Sequence, residues 1–169
     1  RRLMYLGCEV LAYDPLRVDW PRDIRRAQLE EVLCQPVISL HANLHDQGAH
    51  ASRGLLDADR AGQMVAALSK RDKCGLFINA GRGDLMTLEA LNRLADSPWT
   101  LILDTWPGEP SLSADLLSRC DWVSPHIAGH SIRARRNGSD LLAGAIARWA
   151  GVDASALPEL MNQDDLVGS

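Results

Sequence analysis

The chain carries five short apolar runs, each stopped by residues that can end a strand or do chemistry. Residues 8–13 run into Asp14-Pro15, and residues 36–40 run into His41. Residues 76–79 run into Ala80-Gly81-Arg82-Gly83, residues 100–103 into Asp104, and residues 122–124 into Pro125-His126. The runs are continuous rather than alternating, which predicts strands buried on both faces. Patterns of helical period lie between them. Leu85, Leu88, Leu91 and Leu94-Ala95 recur at three- and four-residue steps and end before Pro98. Leu141, Leu142, Ala145, Ile146 and Trp149 repeat the pattern and end at Gly151. Residues 24–33 and 57–68 read as less regular helices. Strands and helices in alternation predict an α/β fold, a doubly wound parallel sheet. The domain is expected over residues 1–150, with 151–169 as a tail or the start of a further segment.

Composition narrows the function. The chain has 169 residues, 46% of them hydrophobic and 24% charged, enough for one domain with a core. A net charge of −4 offers no electrostatic footprint for nucleic acid. No apolar stretch nears the roughly 18 residues of a membrane span. Arginine supplies 16 of the 18 basic residues, and its small clusters read as solvated surface. Cys8, Cys34, Cys74 and Cys120 form no CxxC pair and lie in or beside apolar runs. They are expected to be buried free thiols in a reducing cytoplasm. His41, His45 and His50 share a polar stretch without cysteine partners or an HExxH pattern, so no metal is expected.

Parallel α/β sheets bind ligands at the carboxyl ends of their strands. Here those ends deliver Asp14, Arg82, Asp104, Glu109 and His126. Such a set can bind a ribose, hold a carboxylate and move a proton. Asp14 stands where a Rossmann fold places its ribose-binding acid, about 20 residues after a glycine-rich phosphate loop. That spacing puts the loop ahead of Arg1 and reads residues 1–6 as the rest of the helix it opens. The other reading of Asp14 is an Asp-Pro turn. Arg82, between two glycines, can grip a carboxylate with two parallel hydrogen bonds, or it can sit in a plain surface turn. Glu109 and His126 can form a carboxylate–imidazole pair that serves as general acid and base. For His126 alone, a hydrogen-bonded core histidine is the alternative.

Three segments now stand together: residues 79–83 (Asn-Ala-Gly-Arg-Gly), 103–110 (Leu-Asp-Thr-Trp-Pro-Gly-Glu-Pro) and 124–129 (Ser-Pro-His-Ile-Ala-Gly). In this order they resemble the catalytic signatures of the D-isomer-specific 2-hydroxyacid dehydrogenases. The resemblance covers residues 1–150. It implies a Rossmann-like cofactor domain, here lacking its first strand and glycine loop, and an NAD-dependent oxidation of a 2-hydroxy acid. Arg82 would hold the substrate carboxylate, His126 would accept the proton at the C2 oxygen, and Glu109 would tune His126. Asp14 would bind the adenosine ribose and favour NAD, whereas nearby Arg17 would favour NADP. Asp104 would lie near the nicotinamide, with Ala80, Gly129 and the backbone of Ala42 lining the cofactor. His130 would touch the substrate.

Residues 106–110 and 126–131 look most like the branch that oxidises 4-phospho-D-erythronate on the route to pyridoxal phosphate. That likeness implies a small phosphorylated hydroxy acid as substrate, a homodimer of the full-length protein, and neither nucleic acid nor membrane as partner. Residues 132–137 depart from the branch's usual pattern. A related dehydrogenase acting on glycerate, phosphoglycerate or glyoxylate is therefore the alternative enzyme. A non-catalytic nucleotide-binding module is the alternative of another class.

Overall fold

Six strands, all paired in parallel, form two sheets among the described residues of the computed structural model, which are 2–5, 7–71, 74–127 and 129. After a single helical turn, α1 (Arg2–Tyr5), strand β1 (Leu11–Ala12) pairs with β2 (Arg25–Arg26). Helix α2 (Leu29–Leu33) leads into the second sheet. Its strands, β3 (Val37–Leu40), β4 (Gly75–Asn79), β5 (Trp99–Leu103) and β6 (Trp122–Val123), lie side by side in chain order. Parallel neighbours need a crossover between them. Helices α3 (Ala58–Ser69), α4 (Leu88–Ala95) and α5 (Ala114–Ser118) supply it in turn. This is the α/β parallel sheet that the apolar runs predict.

Each crossover helix begins at a side-chain cap. Asp57 accepts from the Arg60 amide at 2.9 Å, Thr87 from Ala90 at 3.2 Å and Ser113 from Leu116 at 3.4 Å. Each cap satisfies an amide that the helix leaves without a partner. Met64 and Leu68 of α3 and Leu91 and Leu94 of α4 meet Phe77, Leu101 and Leu103 of the sheet in one core. All seven are at most 1% exposed, and burying each contributes about 1.5–3 kcal/mol.

Burial on both faces of the strands is not what the fold shows. β4 and β5 alternate between buried and half-buried positions. Their register places Gly75, Phe77 and Asn79 level with Trp99, Leu101 and Leu103, which are the buried positions. Leu76, Ile78, Thr100 and Ile102 turn the other way and stay half-buried. Both residues of β6 are exposed.

Other elements also differ from expectation. The run at residues 8–13 forms a strand only at Leu11–Ala12. The helix expected over 24–33 splits into β2 and α2. Its first half is drawn into pairing with β1, extended by the Ala27 amide on the Ala12 carbonyl at 3.0 Å. The Arg25 guanidinium fixes the junction by binding Glu9 and Glu31. Helix α5 is too short for its period to show in the sequence. Residues Gly83–Leu85 form a 3₁₀ turn ahead of α4. The helix expected from Leu141 to Gly151 and the boundary near residue 150 lie outside the described residues. The chain divides into two units, Arg1–Pro125 and His126–Ser169. No helix among the described residues is long and apolar enough to cross a membrane.

The cysteines are free, as expected, but not buried. Cys8 and Cys74 are exposed, and Cys34 and Cys120 are half-buried. Cys8 falls before the shortened β1, and Cys74 precedes β4 by one residue, so neither reaches the core. Burial pushes the Cys120 thiol above its ordinary pKa, and its Sγ–H donates to the Leu116 carbonyl at 3.4 Å. Less thiolate means slower attack. Iodoacetamide at pH 8 is expected to label Cys8 and Cys74 well before Cys120. Equal rates in a mass-spectrometric time course would overturn this ordering.

Candidate functional site

Strand register builds the site. Leu40 lies beside Asn79, Asn79 beside Leu103, and Leu103 beside Val123. His41, Ala80, Asp104 and Ser124, the next residues, therefore leave the sheet side by side at its carboxyl edge. The Asp104 amide donates to the Asn79 carbonyl at 2.9 Å, and the Ser124 amide to the Leu103 carbonyl at 3.0 Å, carrying the ladder past the strand ends.

Asn79 shapes the turn that follows β4. It is fully buried, its Nδ2 donates to the Arg82 carbonyl at 3.0 Å, and its Oδ1 accepts from the Gly81 amide at 3.1 Å. Closed in this way, the turn presents Arg82 as an exposed side chain. Among the described residues the Arg82 guanidinium makes one hydrogen bond, from Nη1 to the Gly81 carbonyl at 2.8 Å. Guanidinium has five N–H donors, so a two-oxygen ligand can still be gripped.

The Arg82 turn sits directly on the loop that carries Glu109. A Cβ on Gly83 would lie 1.9 Å from the Trp106 carbonyl oxygen, so only glycine fits there. Asp84 adds a second joint, its Oδ1 accepting from the Gly108 amide at 3.3 Å. Its Oδ2 accepts from Arg53, which also donates to Asp46 at 2.6 Å. Those hydrogen bonds, Asp46 first and Asp84 second, raise the Arg53 pKa further above its ordinary value. The Glu109 side chain folds back on its own loop, Oε1 accepting from the Trp106 amide at 2.6 Å.

Asp104 is the buried acid of the edge, only 5% exposed. The Ser124 hydroxyl donates to its Oδ1 at 2.6 Å. Asp14 stands just past β1 and is exposed. Its Oδ1 accepts from the Leu16 amide at 3.1 Å, so the Asp-Pro turn is real and uses one carboxylate oxygen. A pocket opens beside it, between Tyr13–Pro15 and Arg26–Gln28, with His50 on the wall. Arg17, the residue that would favour NADP, donates from Nε to the Asp19 carbonyl at 2.6 Å and lies 5.9 Å from the Trp20 ring centroid. Ala80 is exposed and Ala42 half-buried. Among the described residues no group of three His, Cys, Asp or Glu is placed to hold a metal.

The structure thus brings Arg82, Glu109, Asp104 and Ala80 to the β4 and β5 strand ends, and puts Asp14 at the end of β1. His126 opens the second unit, half-buried and with φ 57°, in the left-handed region. Gly129 is exposed, and His130 lies outside the described residues. Sequence reasoning gave no role to Asn79, Asp84 or Ser124. The one signal for Asn79 was an amide side chain at a strand end just before a Gly-containing turn, a residue type that bonds nearby backbone.

These residues fit a dinucleotide at two of its ends. A carboxylate oxygen of Asp14 remains beside a pocket, and the strand-end row carries backbone groups and the Asp104 carboxylate. A GxGxxG loop for the pyrophosphate is not among the 169 residues.

Residues 1–128 match the family described as D-isomer specific 2-hydroxyacid dehydrogenase, NAD binding domain. The chain is 35% identical over 167 residues to erythronate-4-phosphate dehydrogenase of Pseudomonas paraeruginosa, covering 96% of this chain and 42% of that protein. It is 30% identical over 159 residues to the protein of that name from Marinomonas sp., covering 92% and 40%. The chain therefore spans about two fifths of the length of these curated relatives. Two solved structures share the fold. D-lactate dehydrogenase with NAD+ from Lactobacillus jensenii has a TM-score of 0.63 at 22% identity, over 90% of this chain and 49% of that one. A glyoxylate reductase from Paecilomyes thermophila has 0.65 at 19%, over 93% and 46%. With a match over residues 1–128, the chain belongs to the D-isomer specific 2-hydroxyacid dehydrogenase family, in its NAD-binding domain.

Proposed function

We propose that this chain is the cofactor-binding part of a dehydrogenase that oxidises a 2-hydroxy acid with NAD, and that it carries the catalytic side chains. The observation that supports it best is the strand-end row of Ala80 and Asp104, with the Arg82 turn seated on the Glu109 loop. Arg82 grips the substrate carboxylate through parallel N–H···O bonds and draws charge toward the reacting carbon. His126 accepts the hydroxyl proton at C2, and Glu109 keeps that imidazole basic. Asp14 receives the ribose hydroxyls, and Asp104 faces the nicotinamide, with Ala80, Gly129 and the Ala42 backbone along the cofactor and His130 toward the substrate. The nicotinamide, when bound, supplies the hydride acceptor. Likeness to the named relatives points to 4-phospho-D-erythronate as the acid, oxidised to 2-oxo-3-hydroxy-4-phosphobutanoate.

The test uses the full-length protein. NADH formation with 4-phospho-D-erythronate is expected to exceed that with glycerate or 3-phosphoglycerate. Arg82→Lys replaces a two-pronged donor by a point charge and is expected to lower kcat/KM for the acid about 10–100-fold. Unchanged kcat and KM in this variant would refute the role of Arg82. Preference for glycerate would refute the substrate and leave the reaction class standing.

A further inference from the structure

Ser124 is held at three atoms, and two of its bonds leave the side chain no part. Its amide donates to the Leu103 carbonyl at 3.0 Å, and its carbonyl accepts from the Trp106 indole Nε1 at 3.3 Å. These fix its backbone against the end of β5. The hydroxyl is then committed to one task, donation to Asp104 Oδ1 at 2.6 Å. Asp104 is 5% exposed, and burial of a carboxylate is costly unless donors meet it. The donated bond orients the carboxylate.

We infer that Ser124 is a positioning residue for Asp104 and, through it, sets the preference of the site for oxidised over reduced cofactor. The inference rests on the proposed function, in which Asp104 faces the nicotinamide. The oxidised ring carries a positive charge and the reduced ring does not. A buried anion attracts the former far more than it would in bulk water, and the latter hardly at all. The Asp104 carboxylate exerts that selectivity best when its rotamer is held, and the Ser124 hydroxyl, donating at 2.6 Å, helps to hold it.

Removing the hydroxyl leaves both backbone bonds of Ser124 in place, which makes the test clean. NAD+ and NADH dissociation constants are to be measured by calorimetry for the full-length protein and for Ser124→Ala, Ser124→Cys and Ser124→Thr. Cysteine keeps the volume with a weak donor, and threonine keeps the hydroxyl. Alanine and cysteine are expected to weaken NAD+ about tenfold and NADH less than about threefold, because a carboxylate no longer held in place meets the charged ring less well. Threonine is expected to retain the wild-type ratio. In an Asp104→Asn background, Ser124→Ala is expected to change the ratio no further. An unaltered ratio in the alanine and cysteine variants, equal weakening of both nucleotides, or an undiminished effect in the Asp104→Asn background would each overturn the inference while leaving the dehydrogenase reading intact. A wild-type protein that binds neither nucleotide would overturn the reading itself, and the inference with it.

Discussion

Turnover by the full-length protein is expected to fall about 10²–10⁴-fold when His126 is replaced, the usual contribution of a positioned general acid or base. The choice of replacement matters. His126 has φ 57°, where an L-residue pays about 1–2 kcal/mol unless its side chain suits the left-handed region. Alanine therefore combines loss of the imidazole with a backbone cost. Asparagine tolerates that conformation and cannot shuttle a proton at neutral pH. Both variants are expected to lose turnover alike, with NAD+ affinity within about threefold of wild type and His126→Asn the more stable of the two. Wild-type turnover by His126→Asn would sink the proton-transfer role. Equal loss of turnover and cofactor affinity would point to a binding role instead.

The second large effect is structural and falls on Gly83. An added Cβ would meet the Trp106 carbonyl oxygen at 1.9 Å, its carbon at 2.2 Å and its nitrogen at 2.6 Å. These are backbone atoms of a residue only 2% exposed, so no flexible side chain can move aside. Gly83→Ala is expected to cost about 3 kcal/mol or more, the upper end for overpacking. It must also push the Arg82 turn away from the loop whose Trp106 amide holds Glu109. Gly81→Ala is the control, since its nearest neighbour would stand at 3.3 Å. Thermal unfolding should show a large fall for Gly83→Ala and a small one for Gly81→Ala. Similar falls for the two would show that the turn does not seat on Trp106 as described.

Much of the fold was legible in the sequence because its central strands β4 and β5 are runs of apolar residues that end at Asn79 and Asp104. Where residues 8–13 mixed Glu9 with apolar neighbours, the strand shrank to Leu11–Ala12. Arg25 and Arg26 could not be read as a strand at all, since their propensity says little and their partner lies in β1. The cysteines were misread as buried because an apolar neighbourhood in sequence does not say which face of the surface a residue meets. The candidate site was legible in the same uneven way. Arg82 and Glu109 could be picked out by residue type and turn setting. Asn79, Asp84 and Ser124 could not, because each acts on a group that only folding brings near.

The sequence by itself determined the alternation of β3, α3, β4, α4 and β5, the turn residues that end those strands, and the reactive side chains that the strand ends would deliver. Those follow from hydrophobic period and turn chemistry, which are local. Tertiary structure alone decided that Ala80, Asp104 and Ser124 stand level, because strand register is a long-range pairing. It alone decided that Gly83 must be glycine, because the atoms it avoids belong to Trp106, 23 residues further along the chain. It also decided that the Asp104 carboxylate is gripped by a serine hydroxyl from the neighbouring strand end, a contact between residues 20 apart that no local pattern encodes.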